Sequence, residues 1–158
     1  MPETPEQRLS AVGLSIPSIA KPAGNLLGFK VDGGHIFVSG QLPLEDGKPR
    51  SVGKVGETVS REEAYEAAKL AALNVIAQLA QATNYQLSSV SDIMKVSGFV
   101  NCTADFTDIL FVINGASDLL VSVFGERGSH ARFAIGVASV PRGVPVEVEV
   151  IASVRSGE

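Results

Sequence analysis

The sequence predicts an α+β domain in which a β-sheet carries two helices packed on one face. Three observations predict it. Apolar and branched runs with strand character recur at 26–32, 35–41, 91–102, 131–140 and 146–154. Two runs with helical spacing lie among them, one following Ser60 and one within 105–126. The resulting order, β-β-(β)-α-β-α-β-β, does not alternate strictly, which argues for helices on one sheet face. With 158 residues the chain reads as one domain, 1–158, whose first 22 residues form an N-terminal extension.

Each element has a local cause. Residues 4–13 suit a short amphipathic helix, and the Pro- and Gly-containing stretch 14–25 reads as a connector. "LLGFKVD" and "HIFVSGQ" flank Gly33-Gly34, a two-residue hairpin signal. The stretch after Gln41 is loop, with a short edge strand expected near 49–54. Ser60-Arg61-Glu62-Glu63 is a capping box that opens a helix running to about Thr83. Ala68, Ala72, Val75 and Leu79 share one face of it, with Leu73, Ile76 and Ala80 beside them, as in a helix packed on a sheet. "SDIMKVSGFVNC" is a strand, and a second helix is clearest over 115–124. The last two strands flank "PRGVP" and read as a hairpin turning at 141–145.

Bulk properties narrow the function. The net charge is −4 and no basic block stands out, so no nucleic-acid partner is expected. Cys102 is the only cysteine, which excludes an internal disulfide and a cysteine-based metal cluster. With His35 and His130 the only histidines, no metal site is expected. The polar, acidic N-terminus is neither a secretory signal nor a transit peptide. No uninterrupted apolar run reaches the ~18 residues of a membrane span, so a cytoplasmic location is expected. "GKVGETVS" lacks the spacing of a phosphate loop. Cys102 reads as a small buried hydrophobe, and Arg127 and His130 as surface residues.

Arg132 is the residue that asks for an explanation. It opens the apolar run "ARFAIGV", where its charge needs a partner. Glu147 and Glu149 alternate with Val146, Val148 and Val150, the ordinary pattern of a strand with one wet face. Ser39 and Gly40 suit a strand end or a bulge.

Three segments together carry a resemblance: "VSGQLP" (38–43), "ARFAIGVASVP" (131–141) and "VPVEVEVIASV" (144–154). Over residues 22–154 the chain resembles the RidA/YjgF family, once called L-PSP endoribonucleases. The resemblance implies a fold like that of the trimeric chorismate mutase of bacilli, assembled as a barrel-like homotrimer. It implies hydrolysis of enamines and imines of 2-amino acids to 2-keto acids and ammonia, with no cofactor. It matches Arg132 to the arginine that holds the substrate carboxylate and Glu147 to the acid that positions a water. It places Gly40, Ser39 and Asn114 in the same pocket. Leu26 stands where the family has a tyrosine, and Ala134 where it often has a cysteine. The segment 103–114 is longer than in compact members.

The residues support the implied chemistry. An arginine fork suits a carboxylate, and a carboxylate suits the management of a water. In a flat terminal hairpin Glu147 would pair near Ser139, on the order of 23 Å from Arg132. The two would then share a pocket only if contributed by different subunits, one site per interface. The readings are a small hydrolase on imino or enamino acids, or a non-catalytic trimeric binder of 2-keto acids. An endoribonuclease is disfavoured by the acidic balance.

Overall fold

Thr4 starts the first helix by a reciprocal cap. Its hydroxyl accepts from the Gln7 amide at 3.2 Å and its own amide donates to the Gln7 side chain at 2.9 Å. In this computed structural model, which describes residues 1–155, helix α1 then spans Pro5–Ala11 and buries Leu9. Strands β1 (Phe29–Asp32) and β2 (His35–Gln41) form the expected hairpin. Gly33 and Gly34 both take positive φ, 56° and 79°, as such a turn demands. The edge strand expected near 49–54 is instead half of a separate small hairpin, β3 (Leu44–Glu45) with β4 (Lys48–Pro49). Asp46 and Gly47 at positive φ turn the chain there, earlier than the loop composition suggested.

Ser60 caps helix α2, Arg61–Ala82, as read from its sequence: Ser60 and Glu63 exchange hydrogen bonds of 3.1 and 3.2 Å. Its apolar stripe, Ala64, Ala68, Ala72, Val75 and Leu79, is fully buried. Strand β5 covers Val90–Asn101 and helix α3 covers Ile109–Phe124, a turn and a half longer at its start than 115–124. Gly115 lets α3 approach α2, since a Cβ there would lie 2.9 Å from the Tyr65 carbonyl carbon. Strands β6 (Ala131–Val137) and β7 (Val146–Val154) complete one five-stranded sheet, ordered β1-β2-β7-β5-β6. Both long helices pack on one of its faces.

The sheet overturns one expectation. Strands β6 and β7 are not a hairpin. β6 runs parallel to β5, while β7 lies antiparallel between β2 and β5. The cause is non-local. α3 returns the chain for a parallel crossover, which seats β6 beside β5. The next connection then crosses the end of β5, where Asn101 holds it. The Asn101 amide donates to Pro145 at 2.8 Å, and its side chain donates to the Val144 carbonyl at 3.2 Å. β7 thereby takes a central place, with Val146, Val148, Val150 and Ala152 all buried against the helices.

The stretch Ile109–Gly128, with mean hydropathy 1.5, is long and apolar enough to cross a membrane by length and composition alone. It is not an uninterrupted apolar run, since Asn114, Ser117, Asp118 and Ser122 fall within it. Here it is a core helix, with Val112, Ile113, Ala116, Leu120 and Val123 fully buried against the rest of the fold.

Candidate functional site

Strand alternation decides where Arg132 points. It lies opposite Val96, a fully buried position, so its side chain rises on the helix side of the sheet. There it meets α3. Its Nη1 donates to Asn114 Oδ1 at 2.8 Å and to Ser117 Oγ at 3.1 Å. Asn114 and Ser117 stand three apart on one helix face, which allows both to reach it. Both partners are neutral, and among the described residues Arg132 has no carboxylate within ion-pair reach. Both hydrogens of Nη1 are engaged. The Nε–Nη2 edge has no hydrogen-bond partner among the described residues and carries two parallel N–H groups, the fork that suits a carboxylate.

Glu147 lies opposite Phe99, on the sheet face away from the helices. The neighbouring strand makes room for it. Between the pairs Val38–Val150 and Gln41–Val148, β2 holds one residue more than β7, a bulge at Ser39-Gly40. Ser39 anchors the bulge by donating its hydroxyl to the Leu27 carbonyl at 2.6 Å and its amide to Gly28 at 2.9 Å. A side chain at Gly40 would collide with Glu147, whose carboxyl carbon would be 2.9 Å from the added Cβ. The carboxylate of Glu147 therefore lies over the Gly40 backbone. Burial, helped by the neighbouring charge of Glu149, pushes its carboxyl above the usual glutamate range.

The structure thus joins Arg132 with Asn114, and Glu147 with Gly40, whose bulge Ser39 anchors, but keeps the two groups apart. Glu147 is level with Ile135 across β5, three residues along from Arg132. Two strand spacings and three residue rises separate their Cα atoms by about 14 Å. Their side chains leave opposite faces of the sheet.

Sequence reasoning missed three residues near these groups. His130 is half-buried rather than free on the surface. Its Nε2 is 2.8 Å from Ser117 Oγ and its Nδ1 is 2.6 Å from the Gly128 carbonyl. Arg127 is half-buried too, donating to the Val90 carbonyl at 2.7 Å. Only the approach of α3 to β6 gives Ser117 and His130 their partners, and no local motif signals it. Lys54 is the third. It donates to Asn101 Oδ1 at 2.8 Å and to the Ala138 carbonyl, beside a groove of about 610 Å³. Cys102, Phe106, Ile109 and Gly136 line that groove, so the long 103–114 segment builds part of its wall. Cys102 is buried as expected, and burial raises its thiol, against a weaker opposing pull from Lys54. It is not poised as a thiolate nucleophile. Leu26 is exposed, and Ala134 is half-buried two residues beyond Arg132 on the same side.

The model of the family described as "YjgF/chorismate mutase-like, putative endoribonuclease" matches residues 6–152. The chain belongs to this family. It is 40% identical to Protein TCP17 of Trypanosoma cruzi over 149 residues, 94% of this chain and 92% of that one. It is 27% identical to the RutC family protein PH0854 of Pyrococcus horikoshii, over 76% of this chain and 79% of that one. Among solved structures it resembles Atu1372 of Agrobacterium tumefaciens, a protein of unknown function, with a TM-score of 0.90 and 40% identity over 96% of this chain and 92% of that one. The α+β fold with its mixed sheet is the fold of this family.

Proposed function

We propose that this protein hydrolyses enamines and imines of 2-amino acids to 2-keto acids and ammonia, in clefts between the subunits of a homotrimer. The observation that carries the reading is Arg132, a half-buried cation with neutral partners on one nitrogen and its Nε–Nη2 fork unengaged. A half-buried charge with an unengaged fork is stabilised by a counter-charge. The carboxylate of a small substrate supplies it.

The chemistry needs few groups. An enamino acid takes a proton from solvent water at C3 and becomes the iminium form of the imino acid. Water adds to C2 as the C=N π pair moves to nitrogen, and Glu147 receives the proton that the water loses. The carbinolamine hydroxyl then gives its proton to solvent water, C2–O becomes a carbonyl, and the C2–N bond breaks. Glu147 returns its proton to the departing nitrogen, which leaves as ammonia. A carboxyl held above its usual range suits both halves of this exchange near neutral pH.

Arg132 and Glu147 must come from different copies, because one chain aims them to opposite sheet faces. The open face supports association. It exposes Phe37, Phe133 and Ile135, while Phe99 stacks edge-on against Phe133 at 5.6 Å. Such a face belongs against another surface. Light scattering is expected to return a mass near three chains, and a stable monomer would remove the proposed cleft.

A binder of 2-keto acids without turnover is the second reading, favoured by Ala134 and Leu26 at positions where the family carries a cysteine and a tyrosine. One assay separates the two. 2-Aminoacrylate generated from serine by a dehydratase is expected to release pyruvate faster when this protein is added. An unchanged rate, with pyruvate still bound, would leave the binder. Ribonuclease action, suggested by the family description, finds little support in a net charge of −4.

A further inference from the structure

We infer that His130, through Ser117, is a positioning residue for the Arg132 guanidinium. The hydrogen bonds run in one direction. The Gly128 carbonyl only accepts, so the His130 Nδ1 at 2.6 Å must carry a proton and donate. In the neutral ring Nε2 is then an acceptor, and it takes the Ser117 hydroxyl proton across 2.8 Å. This turns the Ser117 lone pairs toward Arg132, whose Nη1 donates to them at 3.1 Å. Asn114 Oδ1 takes the other Nη1 hydrogen at 2.8 Å.

With both Nη1 hydrogens held, the guanidinium plane is fixed and its Nε–Nη2 edge is aimed. Asn114 alone leaves the plane free to turn about a single hydrogen bond. Ser117 without His130 has no fixed proton direction, and its hydroxyl then has no preference for receiving from Arg132. The relay sits in α3 and the turn before β6, so its members are set by the fold before any substrate arrives. The substrate class follows from the free edge: a planar carboxylate that takes two parallel N–H groups side-on. This inference rests on the carboxylate reading of Arg132.

The experiment has a part that does not depend on that reading. In the ligand-free protein, nitrogen-15 NMR is expected to show neutral His130 protonated at Nδ1, and slow rotation of the Arg132 Cζ–Nη1 bond. Ser117→Ala is expected to release that rotation. An Nε2-protonated ring, or rotation equally fast in parent and Ser117→Ala, overturns the relay.

The second part uses 2-ketobutyrate binding and turnover. Ser117→Ala and His130→Phe are each expected to weaken binding roughly fivefold to tenfold, the scale of one hydrogen bond to a charged group made less favourable. Saturated turnover should stay within about twofold, a KM effect that general loss of structure would not mimic. The double variant should be no weaker than either single one, because both cut the same chain. Ser117→Thr, which keeps the hydroxyl, should restore affinity. Additive losses, or unchanged affinity in both single variants while Arg132→Ala loses binding, would overturn the inference. Unchanged affinity in Arg132→Ala itself would instead defeat the carboxylate reading, and the NMR result would still decide the relay.

Discussion

Arg132 and Glu147 are built in opposite ways. The arginine stands on the helix side of an edge strand, held at one nitrogen by Asn114 and Ser117. The glutamate stands on the open side of a central strand, over the backbone of Gly40, with no hydrogen-bond partner among the described residues. One is a cation oriented by neutral groups. The other is left without donors, and burial raises its carboxyl. The difference fits a division of labour in which a fixed cation binds an anion and an unrestrained carboxyl exchanges protons. It also fits a site that one chain leaves incomplete.

The largest expected effect isolates the glutamate. Glu147→Gln keeps the size of the side chain and removes its proton exchange. Turnover should fall by roughly 100-fold or more, the scale of a lost general base, while pyruvate binding changes little. Equal turnover would return Glu147 to the role of an ordinary residue on a wet strand face.

The next effect isolates the arginine. Arg132→Ala should weaken pyruvate binding by roughly 10- to 150-fold with the oligomer mass unchanged, since a hydrogen-bonded charge pair contributes about 1.5–3 kcal/mol. Arg132→Lys should restore only part of it, because an ammonium is a point charge without a fork. Calorimetry alongside light scattering reads both. Dissociation of the Arg132→Ala oligomer would make the arginine an interface ion pair instead of a ligand clamp.

The smallest effect concerns stability. The carboxyl of Glu147 is raised in the folded chain, chiefly by burial and then by Glu149. A raised acid favours the folded state fully only below its unfolded value, and that contribution is lost as pH rises through the folded value. Glu147→Gln should therefore melt above the parent near neutral pH, by on the order of 1–3 °C. The difference should vanish when pH falls below the ordinary glutamate range. Thermal melts at the two pH values check it, and a gap that widens on acidification would contradict the direction of the shift.

How far these groups could be read from the chain depends on how local their causes are. The capping boxes at Thr4 and Ser60 and the Gly33-Gly34 turn act within a few residues. Of these, the Ser60 box and the glycine turn were legible directly. The bulge at Ser39-Gly40 was legible as a possibility from the glycine, and the buried helix stripe from its spacing. The neighbourhood of β6 and β7 was not. The same apolar run, turn and apolar run serves an adjacent hairpin and a pair split by a third strand. Asn101, 43 residues before Val144, decides between them by holding Val144 and Pro145 over the end of β5. Ser117 and His130 were illegible for the same reason: their meaning appears only when α3 lies against β6. Family resemblance assigned Asn114 and Arg132 to one pocket without pairing them, and in the structure Arg132 donates to Asn114 at 2.8 Å. Periodicity alone would not have chosen it.

The separation of the two groups on one chain is the central point, and mixing variants tests it most directly. Arg132→Ala and Glu147→Gln chains, each slow alone when assayed well below saturation, are denatured, combined in equal amounts and refolded together. If each cleft takes its arginine from one copy and its glutamate from the next, random assembly rebuilds about one cleft in four, because each residue comes from an intact donor half the time. The mixture should then recover roughly a quarter of the parent's rate of pyruvate release from 2-aminoacrylate. A refolded mixture no faster than the two variants assayed separately would mean that the groups act within one chain or not together at all.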